Sequence, residues 1–366
     1  MKVAVGLSGG VDSAVAALLL KRAGHDVVGV SMKLWREDGS YKGGERDACF
    51  GPGEADDIAA AGALAEKLGI GYRVFDCSEE YERTVLGYFR RERTAGRTPN
   101  PCIVCNRFLK FGLLPQMASA ALGFDRFATG HYARIVERGG RLAVARAADA
   151  SKDQSYFLWG LSQEQLARAM FPLGDLTKAE VRRLAHEEGF PMADKADSQD
   201  FYSGDANEIV GKEDAEGSVV DLNGKTLGKH RGYWHYTVGQ RQGLGIGGGT
   251  PFYVVRVDPC RNEVVVGRRE EAIGHLFSVE DLNWQGLAPT EEPISGFMKI
   301  RSTGRPAGPV TLENGVVRAP DGLFGVAPGQ SAVLYSDDGT ILCGGIILSS
   351  PPSSRASGDR AQSTVG

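Results

Sequence analysis

The chain has 366 residues, a net charge of −4 and 42 % hydrophobic residues. That length exceeds one ordinary core and implies two or three domains, and no apolar run reaches membrane-spanning length. Asp12, Lys21 and Arg22 interrupt the apolar N-terminus, so it reads as a strand and a helix rather than a signal peptide. The six cysteines are too unevenly spaced for a secreted disulfide framework. The expectation is a cytoplasmic globular protein with no membrane partner. The acidic balance argues against wholesale nucleic-acid binding, but a local basic surface is enough for RNA.

Val3–Gly6 reads as the first strand and Ala14–Arg22 as the first helix. Between them lies Gly6-Leu7-Ser8-Gly9-Gly10-Val11-Asp12-Ser13. Such a turn gathers free amides, a helix N-terminus and two hydroxyls at one point, which suits a phosphate. Asp12 either holds a magnesium ion or caps the helix. No Gly-Lys-Ser/Thr follows, so this is not a Walker loop.

Further strands are expected at Asp26–Met32, Gly71–Asp76 and Arg126–Thr129. Helices are expected at Glu54–Leu68, Ser78–Arg93, Leu113–Ala121, Ser162–Ala169 and Lys178–Glu188. Alternating strands and helices imply an α/β, doubly wound, mainly parallel sheet, with ligands outside the carboxyl ends of its strands. From about Gly204 helical periodicity fades. Val219–Asp221, Tyr253–Asp258 and Glu263–Gly267 read as short strands, with Leu222-Asn223-Gly224-Lys225 as a turn. Gly296–Ser302, Pro309–Leu312, Val316–Ala319 and Gln330–Tyr335 suggest a small β-barrel. The expected domains are 1–203, 204–276 and 277–350, followed by a disordered tail, 351–366, with hardly any apolar mass.

Five segments, in order, carry a family resemblance: the opening loop, Thr98-Pro99-Asn100-Pro101-Cys102-Ile103-Val104-Cys105-Asn106, Ala128–Tyr132, Lys152–Leu158 and Tyr236–Ile246. The opening loop resembles the pyrophosphatase (PP-) loop of enzymes that cleave ATP to AMP and pyrophosphate. Together the five resemble the tRNA-specific 2-thiouridylases, which replace the 2-oxygen of a wobble uridine with sulfur. The resemblance implies ATP on Gly6 to Ser13 with Met32 and Gly130 beside the nucleotide, Mg2+ with Asp12 in a catalytic role, and tRNA and a sulfur donor (a persulfide carrier protein or sulfide) as partners. It further implies Cys105 as the residue that attacks with sulfur, Asn100, Pro101 and Cys102 at the target base, and tRNA contacts at His131, Lys152, Asp153, Gln154, Arg301, Ser302 and Gln330. A thiolate or persulfide is soft and ionises near neutral pH, as the chemistry requires.

Two departures stand out. The family carries a second functional cysteine where this chain has Tyr202, and a phenol can neither receive a persulfide nor form a disulfide. The stretch after it, Gly204–Gly217, is short and lacks an anchoring helix by comparison. Cys102 and Cys105 form a Cys-x-x-Cys pair that reads as a redox disulfide, as half of a zinc or iron–sulfur site, or as two unrelated thiols; the resemblance implies an iron–sulfur site only if a third ligand such as Cys49 or Cys77 completes it. Cys77, Cys260 and Cys343 read as packing residues, and His25 and His186 as surface residues. Arg90, Arg91, Arg93, Arg97, Arg107 and Lys110 crowd the cysteine segment, as an RNA backbone needs, although such runs also serve as solvated faces. Other readings of the same residues are an enzyme adenylating a different carbonyl and a non-catalytic tRNA-binding paralogue.

Overall fold

A computed structural model describes residues 1–45, 48–197, 200–247 and 249–348. Residues 351–366, the expected tail, lie outside this range. Five parallel strands form the first sheet, in the order Gly71–Asp76, Asp26–Lys33, Lys2–Gly6, Arg126–Ala128, Ala169–Met170. Val3, Ala4 and Val5 are fully buried, because helices cover both faces and no alternation is needed. The chain leaves the central strand toward one edge and returns to pair on its other side. This reversal opens a crevice at the carboxyl end of Lys2–Gly6, where the glycine-rich turn begins.

The first helix, Val11–Arg22, is lined by Ala14, Val15, Ala16 and Ala17, all fully buried. Such small side chains let it sit close to the sheet and to helix Lys178–Glu187. The helix expected over Ser78–Arg93 is present but winds as π-helix over Glu82–Leu86. The cysteine segment opens a longer helical run than expected. It starts at Pro101, widens to π-helix over Cys105–Leu113 and ends at Leu122. Pro101 sits at the first helical position, where its missing N–H costs nothing.

The helix expected to end at Ala169 ends at Arg168, and Ala169–Met170 becomes the edge strand. A hairpin, Ala133–Arg138 with Arg141–Arg146, and a two-stranded ribbon, Ala48–Phe50 with Asp200–Tyr202, complete this region. A helix does follow Tyr202: Ala206–Val210, capped by Asp205. The missing-anchor expectation is therefore corrected to a single short helical turn.

A four-stranded sheet follows, in the order Thr226–His230, Gly217–Val220, Glu263–Gly267, Tyr253–Asp258. Six strands between Ile273 and Ile347 then close into a barrel around Phe277, Val310, Val317 and Leu334. Among the described residues no helix is long and apolar enough to cross a membrane.

Candidate active site

The turn after the first strand leaves its amides open. Gly10 occupies the N-cap of helix Val11–Arg22, and no side chain caps it. Asp12 therefore does not cap the helix. Gly9 takes φ +71°, and a Cβ there would meet the Asp57 carbonyl oxygen at 2.6 Å. The loop is shaped from within: Ser8 N donates to Ser13 Oγ at 3.2 Å, and Ser13 Oγ donates to the Gly10 carbonyl at 3.1 Å. Gly130 closes the turn from the neighbouring strand. A Cβ on it would lie 2.7 Å from Ser13 N and from the Asp12 carbonyl carbon, so only glycine permits this approach.

Asp12 faces inward. Its Oδ1 accepts from Lys178 Nζ at 2.7 Å and from the Tyr132 hydroxyl at 2.8 Å. Lys178 Nζ also donates to Asp197 at 2.6 Å, and Lys152 Nζ to the same carboxylate at 2.8 Å. Burial opposes ionisation of Asp197, yet hydrogen bonds from Lys152 and Lys178 hold it below the usual carboxylate range. This network joins the anion-binding turn to the Lys152 segment. Tyr132 belongs to a segment expected at this crevice, whereas Lys178 and Asp197 were not read from sequence as site residues. One signal pointed to Lys178: a cation in the first turn of a helix opposes the helix dipole and so asks for an acidic partner.

Cys102 and Cys105 are half-buried, and all six cysteines are free thiols. Burial pushes the Cys102 thiol up to about 12 and the Cys105 thiol up to about 11, the latter partly offset by Lys110. The expectation of thiols largely ionised at neutral pH is thus corrected: desolvation outweighs the nearby cation. Among the described residues no three His, Cys, Asp or Glu side chains gather to hold a metal, so the iron–sulfur reading finds no ligand set here.

Tyr202, in place of the family cysteine, is 2 % exposed. Its hydroxyl donates to Glu208 and accepts from Gly43 N at 3.0 Å, and its ring lies 5.7 Å from Phe50. The phenol fastens the ribbon to the following helical turn.

Half of the basic run has partners within the protein. Arg90 pairs with Glu82 at 2.6 Å, Arg97 with Glu92 at 2.6 Å, and Arg93 donates to Thr237 Oγ1 at 3.2 Å. Arg91 and Arg107 instead line a cavity of about 390 Å3 with Tyr88, Asn100, Phe108 and Trp159. Arg107 pairs with Asp281 of the barrel at 2.8 Å, and Phe108 is an exposed aromatic beside it.

The other residues singled out by the resemblance divide by orientation. Met32 lies near the end of its strand, half-buried. His131 sits among Phe111 at 5.8 Å and Phe171 at 6.0 Å, with its Nδ1 2.7 Å from Thr129 Oγ1. Burial first, and Lys110 second, push this imidazole well below its usual range. Asp153 turns inward to the Ala147 and Ser155 amides, both at 3.2 Å, and Gln154 accepts from Tyr132 N at 2.9 Å. Arg301 donates to the Phe324 carbonyl, and Ser302 is half-buried beside it. Gln330 donates from the barrel to the Thr98 and Pro99 carbonyls at 3.1 and 3.2 Å, next to buried Asn100 and Pro101. The Tyr236–Gly239 segment packs the middle domain on the catalytic one, through Thr237 with Arg93 and Thr98.

Three family models match in succession: a tRNA methyl transferase HUP domain over residues 1–202, a tRNA methyl transferase PRC-barrel domain over 207–268, and an aminomethyltransferase beta-barrel domain over 274–347. Similar curated proteins include the tRNA-specific 2-thiouridylase MnmA of Endomicrobium trichonymphae, 44 % identical over 95 % of this chain and 99 % of that protein. Those of Gloeothece citriformis and Clostridium perfringens are each 42 % identical, over 94 % and 95 % of this chain and 99 % and 98 % of theirs. Solved structures overlap only loosely. A 4-thiouridine synthetase–RNA complex with bound ATP is 15 % identical over 57 % of this chain and 45 % of that one, with a TM-score of 0.34. NMN synthetase from Francisella tularensis is 20 % identical over 54 % and 65 %, with a TM-score of 0.30. With near-complete coverage in both directions at more than 40 % identity, the chain belongs to the tRNA-specific 2-thiouridylase family and is a tRNA sulfurtransferase.

Proposed function

We propose that this protein uses ATP to adenylate the 2-oxygen of the wobble uridine of tRNA and then replaces that oxygen with sulfur carried on Cys105. The uridine oxygen attacks the α-phosphorus, the bond to the β-phosphate breaks and pyrophosphate leaves. The terminal sulfur of a Cys105 persulfide attacks C2, the C2–O bond breaks and AMP leaves.

The observation that carries this reading is the bridge formed by residues 129–132. Gly130 lies against the Asp12–Ser13 turn, while the adjacent His131 packs on Phe111 of the helical run that begins with the cysteine segment. Phosphate and sulfur chemistry therefore share one wall. Open amides at the start of helix Val11–Arg22 stabilise the charge that develops on the phosphates. Lys178 orients Asp12 and adds a positive charge beside it. Both bonds to Asp12 fall on Oδ1, so Oδ2 fits a magnesium ion, which when bound would neutralise pyrophosphate charge. The cavity holding Asn100, Tyr88 and Trp159 offers aromatic faces and amides to an unstacked base, and Arg91 and Arg107 offer charge to its phosphates. The sulfur comes, in the cytoplasm, from a persulfide carrier protein, whose terminal sulfur is attacked by the Cys105 thiolate as the carrier's own thiolate leaves.

The test supplies ATP labelled at the α-phosphate and unmodified tRNA to purified protein first loaded with a small-molecule persulfide. Expected are 2-thiouridine by nucleoside mass spectrometry and one AMP and one pyrophosphate for each. Release of ADP and phosphate, or tRNA binding with no nucleotide cleaved, would overturn the reading.

A further inference from the structure

Asn100, Ile103, Val104, Arg107 and Phe108 recur three and four residues apart, the spacing of one helix face, and all five line the cavity of about 390 Å3. Trp159 supplies an aromatic wall, and Arg91, exposed, supplies a second guanidinium. Cys102 and Cys105 fall outside this spacing, and neither lines the cavity. The space beside the cysteine segment therefore suits a group other than the one the thiols act on.

Phe108 stands on this face 49 % exposed, and the Arg107 guanidinium lies over its ring, 5.1 Å from the centroid. The pair is held in place. Asp281 of the barrel binds Arg107 at 2.8 Å, and Gly160 admits the arginine stem, because a Cβ there would lie 3.3 Å from Arg107 Cδ. Gln165 Nε2 donates to the Arg107 and Phe111 carbonyls at 2.8 and 3.0 Å, fixing the widened helical turn that carries Phe108. A single exposed aromatic is ordinary on a protein surface. An exposed ring on a fixed backbone, beside two cations and a cavity, has the parts of a stacking platform for an unpaired base.

We propose that Phe108 and this cavity receive the nucleobase next to the target uridine, with Arg91 and Arg107 facing its phosphate. This deepens, and rests on, the reading of the protein as a tRNA uridine thiolase. A base that reacts must leave its stack, and unstacking is costly. Stacking the neighbour on Phe108 offsets that cost. It also splays the two bases apart, one toward this face of the helical run and one toward the thiols.

The experiment measures binding of intact unmodified tRNA, and of three tRNAs each lacking one base: the target uridine, its 5′ neighbour or its 3′ neighbour. Phe108→Ala should weaken binding of intact tRNA about 5–100-fold, with ATP affinity within twofold of wild type. Phe108→Trp should restore it. One neighbour-lacking tRNA should bind the wild type as weakly as intact tRNA binds Phe108→Ala, and lose no more than twofold when the two changes are combined. That tRNA identifies which neighbour stacks. The tRNA lacking the target base should lose the full factor on Phe108→Ala. Phe108→Ala binding intact tRNA within twofold of wild type, losses that multiply for both neighbours, or coupling to the target base instead overturns this proposal alone. A wild type that binds tRNA and ATP yet forms no 2-thiouridine overturns the underlying reading and this proposal together.

Discussion

Gly130→Ala isolates the geometry of the nucleotide turn. The added methyl would sit 2.7 Å from two backbone atoms of the Asp12–Ser13 turn. Restoring ordinary contact requires a shift of roughly 0.7 Å, and neither neighbour is a flexible side-chain end. Overpacking of this kind costs about 1–3 kcal/mol, and a domain of this size loses about 2–4 °C of Tm per kcal/mol. The displaced amides belong to the turn that receives phosphate, and a misplacement near 1 Å can lower a rate by about 100-fold. Gly130→Ala is therefore expected to melt roughly 2–12 °C lower and to weaken ATP binding by about 10–100-fold, with tRNA affinity unchanged. Calorimetry with ATP and differential scanning give both numbers. ATP affinity within twofold of wild type, together with an unshifted Tm, would refute the idea that this contact shapes the loop.

Lys178→Met leaves Asp12 and Asp197 facing each other without their shared cation; since both carboxylates keep some solvent contact, the loss is expected at about 2–4 kcal/mol by urea unfolding, below the full cost of breaking a buried pair. His131 has a folded pKa below its unfolded value, so its contribution is complete above about pH 6.5 and falls as pH drops below that. The urea midpoint measured from pH 7 to 5 should decline less steeply in His131→Asn. The Cys105 thiol, held near 11, should alkylate with iodoacetamide about tenfold faster per pH unit between pH 7 and 10; a rate already level at pH 8 would contradict the buried, protonated thiol. Cys105→Ser should abolish 2-thiouridine formation while ATP binding stays within twofold.

The parts legible in the sequence were those that local chemistry determines. The apolar Val3–Val5 run, the glycine turn and the cysteine segment each announce themselves through neighbours in the chain. Ala169–Met170 did not, because a two-residue strand has no period and is defined only by its partner Phe127–Ala128. The π winding over Cys105–Leu113 left no sign in apolar spacing read for an α-helix. The partners of the arginine run were not legible either: a charge count does not know that Glu82, Glu92 and Thr237 will meet three of those guanidiniums. Likewise, the high thiol pKa values arise from burial by distant segments, which no spacing rule records.

The seam between the barrel and the cysteine segment has a practical consequence. Thr98 N donates to the Pro328 carbonyl at 2.7 Å, Gln330 holds the Thr98 and Pro99 carbonyls, and Gln285 reaches the carbonyls of Leu158, Trp159 and Leu161. A chain cut before Ile273 would keep every residue assigned to catalysis and lose the template on which Thr98–Pro101 is cast. Exchanging barrels between relatives to retarget the enzyme to another tRNA would then alter chemistry as well as recognition. Such chimaeras should carry over Thr98–Pro99 together with Pro328–Gln330, as one inherited joint.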